Sequence, residues 1–110
     1  MRTRESLAWA AGLFEGEGCI SVQRPRGHQY IQLSLVMNDE DRVRLFAEAI
    51  GVGQIYHVKP QKSKVPVKRH DSWNWHTGKF EVAQAVIAML WEWLGPRRRN
   101  RAVELLKAWG

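Results

Sequence analysis

The stretch LAWAAGLFEGEG, residues 7–18, decides how this chain folds. Small residues recur in it at every fourth position, at Ala8, Gly12 and Gly16. On a helix, residues four apart lie on one face, and a face of small residues lets a second helix approach until the backbones touch. The pattern therefore predicts a helix with one face suited to close packing against another helix.

The end of this predicted helix carries two carboxylates. Ser6 is the predicted N-cap, and we expect the helix to run to about Glu15, because Gly16 and Gly18 then interrupt it. Glu17 lies between those glycines. Like charges beside a close helix contact repel each other, so the acids give little benefit to one chain alone. If two copies of the helix met, carboxylates from both chains would come together, which predicts a site for a divalent cation.

The composition predicts one folded, basic domain over residues 1–110. A hydrophobic content of 45% with six tryptophans is enough to form a core. Seventeen Lys and Arg against eleven Asp and Glu give a formal charge of +6. In a domain of this size such an excess favours a polyanionic partner, most often nucleic acid. The alternative is a basic protein without such a partner.

Cysteine usage and hydropathy predict an intracellular protein. Cys19 is the only cysteine, so an internal disulfide and most structural zinc sites are excluded. The four histidines lack the spacing of zinc ligands. No apolar run approaches the roughly 20 residues that span a bilayer, and the N-terminus lacks the apolar core of a signal peptide. We expect a cytoplasmic, nucleoid-associated or organelle-matrix protein with no membrane partner.

The hydrophobic periodicity predicts an α+β domain. Apolar residues alternate with polar ones in the segments read as strands, and recur at helical spacing in the others. Short turns join consecutive strands, so we expect antiparallel pairing, with helices packed on one face of the sheet. The predicted order is helix, two strands, helix, two strands, helix, helix. The elements after the first helix are strands from Cys19 and over 31–37, a helix capped by Asn38 or Asp39, strands over about 54–59 and 73–76, and helices over about 80–93 and after Gly95-Pro96.

The polar face of the first two strands is rich in Gln and Ser. Ser21, Gln23, Gln32 and Ser34 share it by alternation, and its middle carries little charge. An ordinary solvated sheet face is one interpretation, although such faces usually carry many Lys and Glu residues. Amide side chains read base edges, whereas Arg and Lys neutralise phosphates. Together with the net charge, the pattern favours a sheet that binds nucleic acid.

The segment 10–18, AAGLFEGEG, resembles the nine-residue signature of the LAGLIDADG homing endonucleases. The glycines, the leucine, both acids and the small residue between them are in register. The departures are Ala10 for leucine, Phe14 for isoleucine and glutamate for both aspartates. The predicted element order matches the family, as do segments 33–35 and 50–53, so the resemblance covers nearly the whole chain. Only one signature is present, and single-signature members of this family are homodimers.

The resemblance implies a site-specific double-strand DNA endonuclease that serves intron or intein mobility. It implies a homodimer on a long, roughly palindromic DNA site. Glu17 and the backbone carbonyl of Gly16 are the implied ligands of Mg²⁺, for which Mn²⁺ can substitute. Metal-assisted hydrolysis at two such sites would cut both strands. For Glu15, a structural or electrostatic role is expected instead.

The resemblance also implies two accessory groups. The family places a basic residue near the scissile phosphates, and Arg98 aligns best with it, with Arg97 or Arg99 as alternatives. A polar accessory position after the second strand falls on Asp39 or Asn38. A cation at the first position would stabilise charge that develops on the phosphate.

The remaining candidates form a DNA-contacting surface and a subunit interface. The DNA-contacting candidates are Ser21, Gln23, Arg24, Arg26, His28, Tyr30, Gln32, Ser34, Asn38, Tyr56 and Lys59. The interface candidates are Ala8, Trp9, Gly12, Leu13 and Gly16. The main alternative function is a non-catalytic DNA-binding regulator or an RNA-splicing maturase with the same fold, and a basic interaction protein is the third. RNA is a less favoured partner than DNA.

Overall fold

The structure is a computed structural model that describes residues 3–23, 30–59 and 71–109. The side chains of Gln23, Ala108 and Trp109 are not described. The predicted DNA contacts of Arg24, Arg26 and His28, and the side-chain contact of Gln23, therefore lie outside the described residues.

The order of helices and strands confirms the predicted α+β architecture. The elements are α1 (Arg4–Glu17), β1 (Gly18–Gln23), β2 (Tyr30–Met37), α2 (Glu40–Ile50), β3 (Gln54–Val58), β4 (Ser72–His76), α3 (Phe80–Leu90), a short 3-10 helix (Trp91–Trp93) and α4 (Pro96–Trp109). The third helix is therefore shorter than predicted, because its last turn tightens into the 3-10 helix. None of the helices in the described part of the chain is long and apolar enough to cross a membrane.

Helix α1 begins earlier and ends later than the sequence predicts. Thr3 is its N-cap: the Thr3 hydroxyl accepts from the Ser6 N–H at 3.0 Å, and the Ser6 hydroxyl accepts from the Thr3 N–H at 2.9 Å. This reciprocal capping box satisfies two N–H groups, so the prediction of Ser6 as N-cap was wrong. The helix continues through Gly16 to Glu17, and Gly18 caps it. One glycine costs a helix only about 1 kcal/mol, which is too little to end a packed one.

The sheet has the strand order β1-β2-β4-β3, with every neighbouring pair antiparallel. Strand β4 therefore lies between β2 and β3, although it is the last of the described strands in chain order. Leu35 pairs with Trp75, and Trp75 with Ile55, on the face that the helices cover. Ser34 and His76 form the neighbouring pair on the opposite, polar face.

An aromatic cluster joins the first two helices to the centre of the sheet. The Phe14 and Phe46 rings stack with centroids 6.4 Å apart, and Phe46 meets Trp75 edge-on at 4.8 Å. All three side chains are buried. The Trp75 indole N–H donates to the Val52 carbonyl at 2.9 Å. Gly53, at φ 97°, leaves room for this indole, because a Cβ there would collide with the ring.

Helix α2 has a well-defined start and end. Asp39 is the N-cap, and its carboxylate accepts from the Arg42 N–H at 3.2 Å. Of the two predicted caps, Asp39 is therefore the one used. Gly51 ends the helix in the left-handed conformation at φ 85°, which glycine adopts without steric cost.

Candidate nucleic-acid interface and metal site

Glu17 is the last residue of α1, and its side chain is exposed. The last turn of α1 holds no basic residue. Two carbonyls of this turn have partners: that of Phe14 accepts from the Gly18 N–H, and that of Glu15 accepts from Arg98 Nη2 at 3.1 Å. The C-terminal end of a helix carries a partial negative charge. A carboxylate at this end is therefore unfavourable for the helix itself.

The donor atoms at this end of α1 fit a hard divalent ion. Glu17 offers a carboxylate, Gly16 offers a backbone carbonyl, and both residues are exposed. Such oxygens are the ligands that Mg²⁺ prefers, and Mg²⁺ usually keeps several waters. Among residues 3–23, 30–59 and 71–109, no three His, Cys, Asp or Glu side chains cluster closely enough to hold a metal ion.

The Glu15 side chain is directed toward the start of α4 and not toward solvent. It is half-buried, and its carboxylate accepts from the backbone N–H of Gly95, at the start of α4. Glu15 and Glu17 therefore differ in their surroundings, since one carboxylate binds the chain's own backbone and the other faces solvent.

The three consecutive arginines have different surroundings. Arg98 binds the end of α1, and its guanidinium lies 5.5 Å from the centroid of the Phe14 ring. Arg99 packs on Trp91: its Nε donates to the Trp91 carbonyl at 3.0 Å, and its guanidinium lies 5.3 Å from the ring centroid. Arg97 is exposed. Of the three, Arg98 is the one that the fold brings to the turn that ends in Glu17.

The contacts of Asp39 are those of a helix cap. Besides accepting from the Arg42 N–H, its carboxylate lies 3.4 Å from Arg42 Nε. Asn38, the other candidate, is exposed after β2. An accessory catalytic role for either residue stays a prediction.

The polar sheet face brings together the candidates from three strands. Ser21 pairs with Gln32 across β1 and β2, and both are half-exposed. Ser34 and Tyr30 lie on the same face of β2. The Tyr56 side chain is 54% exposed on β3, and Lys59 is exposed just after that strand.

Three further residues occupy this face: Gln54, Asn74 and His76. The Tyr56 ring stacks on the His76 ring with centroids 4.7 Å apart, and Gln32 Nε2 lies 3.4 Å from His76 Nδ1. Tyr56 Oη donates to Gln54 Oε1 at 3.3 Å. Within the described residues, Asn74 Oδ1 and His76 Nε2 are buried without a hydrogen-bond partner.

Asn74 and His76 were missed because strand order is not visible in the sequence. Alternation places Asn74 and His76 opposite Trp73 and Trp75, which is correct. The sequence does not show that β4 inserts between β2 and β3. That insertion puts Asn74 and His76 at the centre of the polar face.

The predicted interface face of α1 is open. Gly12 and Gly16 are exposed, and a Cβ added at either would meet nothing within 4 Å. The Trp9 side chain is 42% exposed, whereas Ala8 and Leu13 are half-buried. Gly12 and Gly16 are therefore not needed for packing against the described parts of their own chain.

The element order, the antiparallel sheet and the helices packed on it define a LAGLIDADG-like fold. No protein-family model matches the chain, and a search of curated proteins finds no match. Solved structures do match it. The group I intron-encoded homing endonuclease I-CeuI, complexed with DNA, is 17% identical, with a TM-score of 0.67 over 94% of this chain and 53% of its own.

Two further structures extend the comparison. The homing endonuclease I-CvuI, with the I-CreI target uncleaved in the presence of Mg²⁺, is 12% identical, with a TM-score of 0.65 over 94% of this chain and 65% of its own. The LAGLIDADG meganuclease I-AabMI, bound to uncleaved DNA, is 19% identical, with a TM-score of 0.60 over 92% of this chain and 37% of its own. The chain thus spans between about a third and two thirds of these proteins. At these identities the likeness establishes the fold.

Proposed function

We propose that this chain is a Mg²⁺-dependent, site-specific double-strand DNA endonuclease that acts as a homodimer of one domain, residues 1–110. The observation that carries the proposal is the exposed carboxylate of Glu17 at the negative end of α1, within a LAGLIDADG-like fold. A pure binding protein would gain by losing this acid, because it repels both the helix dipole and DNA phosphates. Intron or intein mobility inside the cell is the corresponding biological role.

The open glycines of α1 support the homodimer. Each interior glycine costs a helix about 1 kcal/mol relative to alanine, and neither Gly12 nor Gly16 is needed for packing against the described residues of its own chain. A second α1 packed on this face would compensate for that cost and bring two copies of Glu17 together. Two partial coordination shells, one per chain, suit the cleavage of two strands.

The polar sheet face is the proposed DNA-reading surface. Gln32 and Gln54 carry amides, and an amide pairs with adenine through one donor and one acceptor in the major groove. The sheet is antiparallel in every described pair of strands, and antiparallel strands can enter the major groove. The formal charge of +6 supplies attraction to phosphates that does not depend on base sequence.

The proposed reaction is phosphodiester hydrolysis. Glu17 and the Gly16 carbonyl would hold Mg²⁺, and the bound ion supplies water activation and stabilisation of the leaving 3′-oxygen. Arg98 supplies positive charge at the end of α1, where charge that develops on a phosphate would be stabilised. The polar sheet face holds the duplex and determines which phosphodiester bond lies beside Glu17.

The test starts by selecting DNA from a pool of random duplexes with the wild-type protein in Ca²⁺. Bound duplexes are then transferred to Mg²⁺, with the wild type and Glu17→Gln compared side by side. We expect the wild type to cut both strands at a fixed position, and Glu17→Gln to bind the same duplexes without cutting. Equal cutting by both proteins would remove Glu17 from the mechanism.

The second candidate function is a DNA-binding regulator or an RNA-splicing maturase with this fold. The observation that favours it is the extent of the polar sheet face, which serves binding whether or not the chain cleaves. Selected duplexes that remain intact in Mg²⁺ with the wild type would establish the regulator in place of the nuclease. Selection from a random RNA pool tests the maturase.

A further inference from the structure

We propose that Glu15 is a positioning residue that fixes Arg98, on α4, relative to Glu17 at the end of α1. The inference rests on the proposed nuclease function and gives a role to the first acid of the signature segment. Two separate contacts of Glu15, one through its side chain and one through its backbone, connect α1 to α4.

The first contact is between the Glu15 carboxylate and the backbone N–H of Gly95. Gly95 directly precedes α4, and its carbonyl accepts from the Arg99 N–H at 3.0 Å, so it forms the N-terminal boundary of the helix. The N-terminal end of a helix carries a partial positive charge that favours a carboxylate. Glu15 therefore binds the start of α4 through an N–H group and through the field of the helix.

The Glu15 carboxylate lies close to the backbone of Gly95. A Cβ built on Gly95 would be in ordinary van der Waals contact with this carboxylate, 3.4 Å from Oε1 and 3.5 Å from Oε2. The carboxylate therefore packs directly against the backbone that starts α4. Backbone contacts hold a helix position more tightly than contacts between two long side chains, because fewer rotatable bonds separate the elements.

The second contact is between the Glu15 carbonyl and Arg98 Nη2, at 3.1 Å. The Arg98 guanidinium also lies over the Phe14 ring, and its Nε is buried without a hydrogen-bond partner in the described structure. Arg98 is thus held between the last turn of α1 and its own helix. Glu15 therefore contacts both Gly95, just before α4, and Arg98, in the first turn of α4. Glu17 lies two residues after Glu15 on α1.

Loss of the Glu15 carboxylate would remove the side-chain contact between α1 and the start of α4, and the hydrogen bond from Arg98 to the carbonyl of residue 15 would remain. Arg98 would keep its charge but would be held less firmly relative to Glu17. A displacement of about 1 Å at a reacting group can lower a rate by about 100-fold. DNA binding would change little, because the polar sheet face lies on other elements.

The experiment compares Glu15→Ala and Glu15→Gln with Glu5→Ala, a matched control on the exposed first turn of the same helix. The DNA is a duplex selected by the wild type from a random pool. Single-turnover cleavage in Mg²⁺, Kd in Ca²⁺ and thermal unfolding are measured for each protein. We expect Glu15→Ala to cleave about 10- to 100-fold more slowly, with Kd within about threefold of the wild type. Glu15→Gln should recover most of the rate, since its amide oxygen still accepts from Gly95.

A double variant separates positioning from stability. If Glu15 acts through Arg98, Glu15→Ala combined with Arg98→Ala cleaves no more slowly than Arg98→Ala alone, because coupled residues are not additive. Multiplied rate losses in the double variant would overturn the inference, and so would a fall in binding and cleavage by the same factor. If Glu15→Ala does not fold, Glu15→Asp, one methylene shorter, takes its place with the same expectations.

The outcomes distinguish the two proposals. Cleavage by Glu15→Ala at the wild-type rate would overturn the positioning role and leave the nuclease intact. Absence of cleavage by the wild type would overturn the nuclease and the positioning role together.

Discussion

Helices α1 and α2 place their acidic residues at opposite ends. Helix α2 begins with the Asp39 cap and has Glu40 and Asp41 in its first turn, where the helix dipole favours negative charge. Helix α1 carries Glu15 and Glu17 in its last turn, and that turn itself contains no basic residue. The acidic residues of α2 stabilise the helix that carries them, whereas the acidic residues of α1 lie at the end where the helix dipole disfavours negative charge. Local rules of this kind are broken most often where a protein has a functional site.

The glycines of the two helices also differ in whether the chain's own structure explains them. Gly51 ends α2 at a positive φ, where a side chain would be strained. Gly12 and Gly16 lie inside α1, facing open space within the described structure. Backbone geometry accounts for the first glycine, and a second copy of the chain is the proposed reason for the other two.

The largest expected effect comes from disrupting the aromatic cluster to which both helices contribute a ring. Phe14→Ala and Phe46→Ala each remove one ring of the buried aromatic cluster. Each should lower the free energy of unfolding by about 3–5 kcal/mol, because a large cavity replaces a packed ring. Denaturant unfolding measures it. A loss below about 1 kcal/mol for either would show that the ring does not belong to the common core.

A smaller effect tests the cap of α2. Asp39→Ala should lower the free energy of unfolding by about 1 kcal/mol, because the Arg42 N–H loses its acceptor. Asp39→Asn should retain nearly all of the stability, since asparagine caps equally well. The cleavage rate of Asp39→Asn then isolates the accessory role predicted from the sequence: a slower rate at unchanged stability would establish it.

The glycines should respond in opposite directions to the same substitution. Gly51→Ala should destabilise the protein by about 1 kcal/mol, because alanine is strained in the left-handed region. Gly12→Ala should stabilise the isolated chain by about 0.5–1 kcal/mol and weaken its self-association. Unfolding at low concentration and light scattering at several concentrations measure the two quantities. Unchanged self-association of Gly12→Ala would contradict the proposed interface.

The smallest expected effect concerns the end of α1. Without divalent ions, Glu17→Gln should raise the free energy of unfolding by about 0.3–1 kcal/mol, since it removes a charge that opposes the helix dipole. Mg²⁺ should then stabilise the wild type and leave Glu17→Gln unchanged, because an ion that binds only the folded state stabilises it. Thermal unfolding with Mg²⁺, with chelator and at equal ionic strength provides the comparison. Equal stabilisation of both proteins by Mg²⁺ would place the ion elsewhere.

Much of the fold was predictable because its signals are local. The alternation in β2 and the turn residues that follow α2 were sufficient to locate those elements. The start of α1 was not, because Thr3 and Ser6 are both good caps and only their reciprocal hydrogen bonds decide between them. The end of α1 was missed because packing of Phe14 and its neighbours outweighs the cost of one glycine.

The same distinction between local signals and contacts of distant segments applies to the candidate site. The prediction of Glu17 came from the signature segment alone, through its resemblance to the LAGLIDADG motif. The partner of Glu15 was not predictable, because Gly95 lies 80 residues away and has no side chain. The place of His76 depended on strand order, which follows from how the sheet pairs and not from the composition of β4.

By itself, the sequence determined the α+β class, the order of its elements, the two sheet faces and the acids at the end of α1. These follow from periodicity, turn chemistry and a short motif, all of which act over a few residues. Only the tertiary structure decided that β4 lies at the centre of the polar face, that Arg98 is the arginine at the end of α1, and that Glu15 binds the start of α4. Those outcomes depend on contacts between distant segments, where the total packing of the core selects one arrangement among many with the same local pattern.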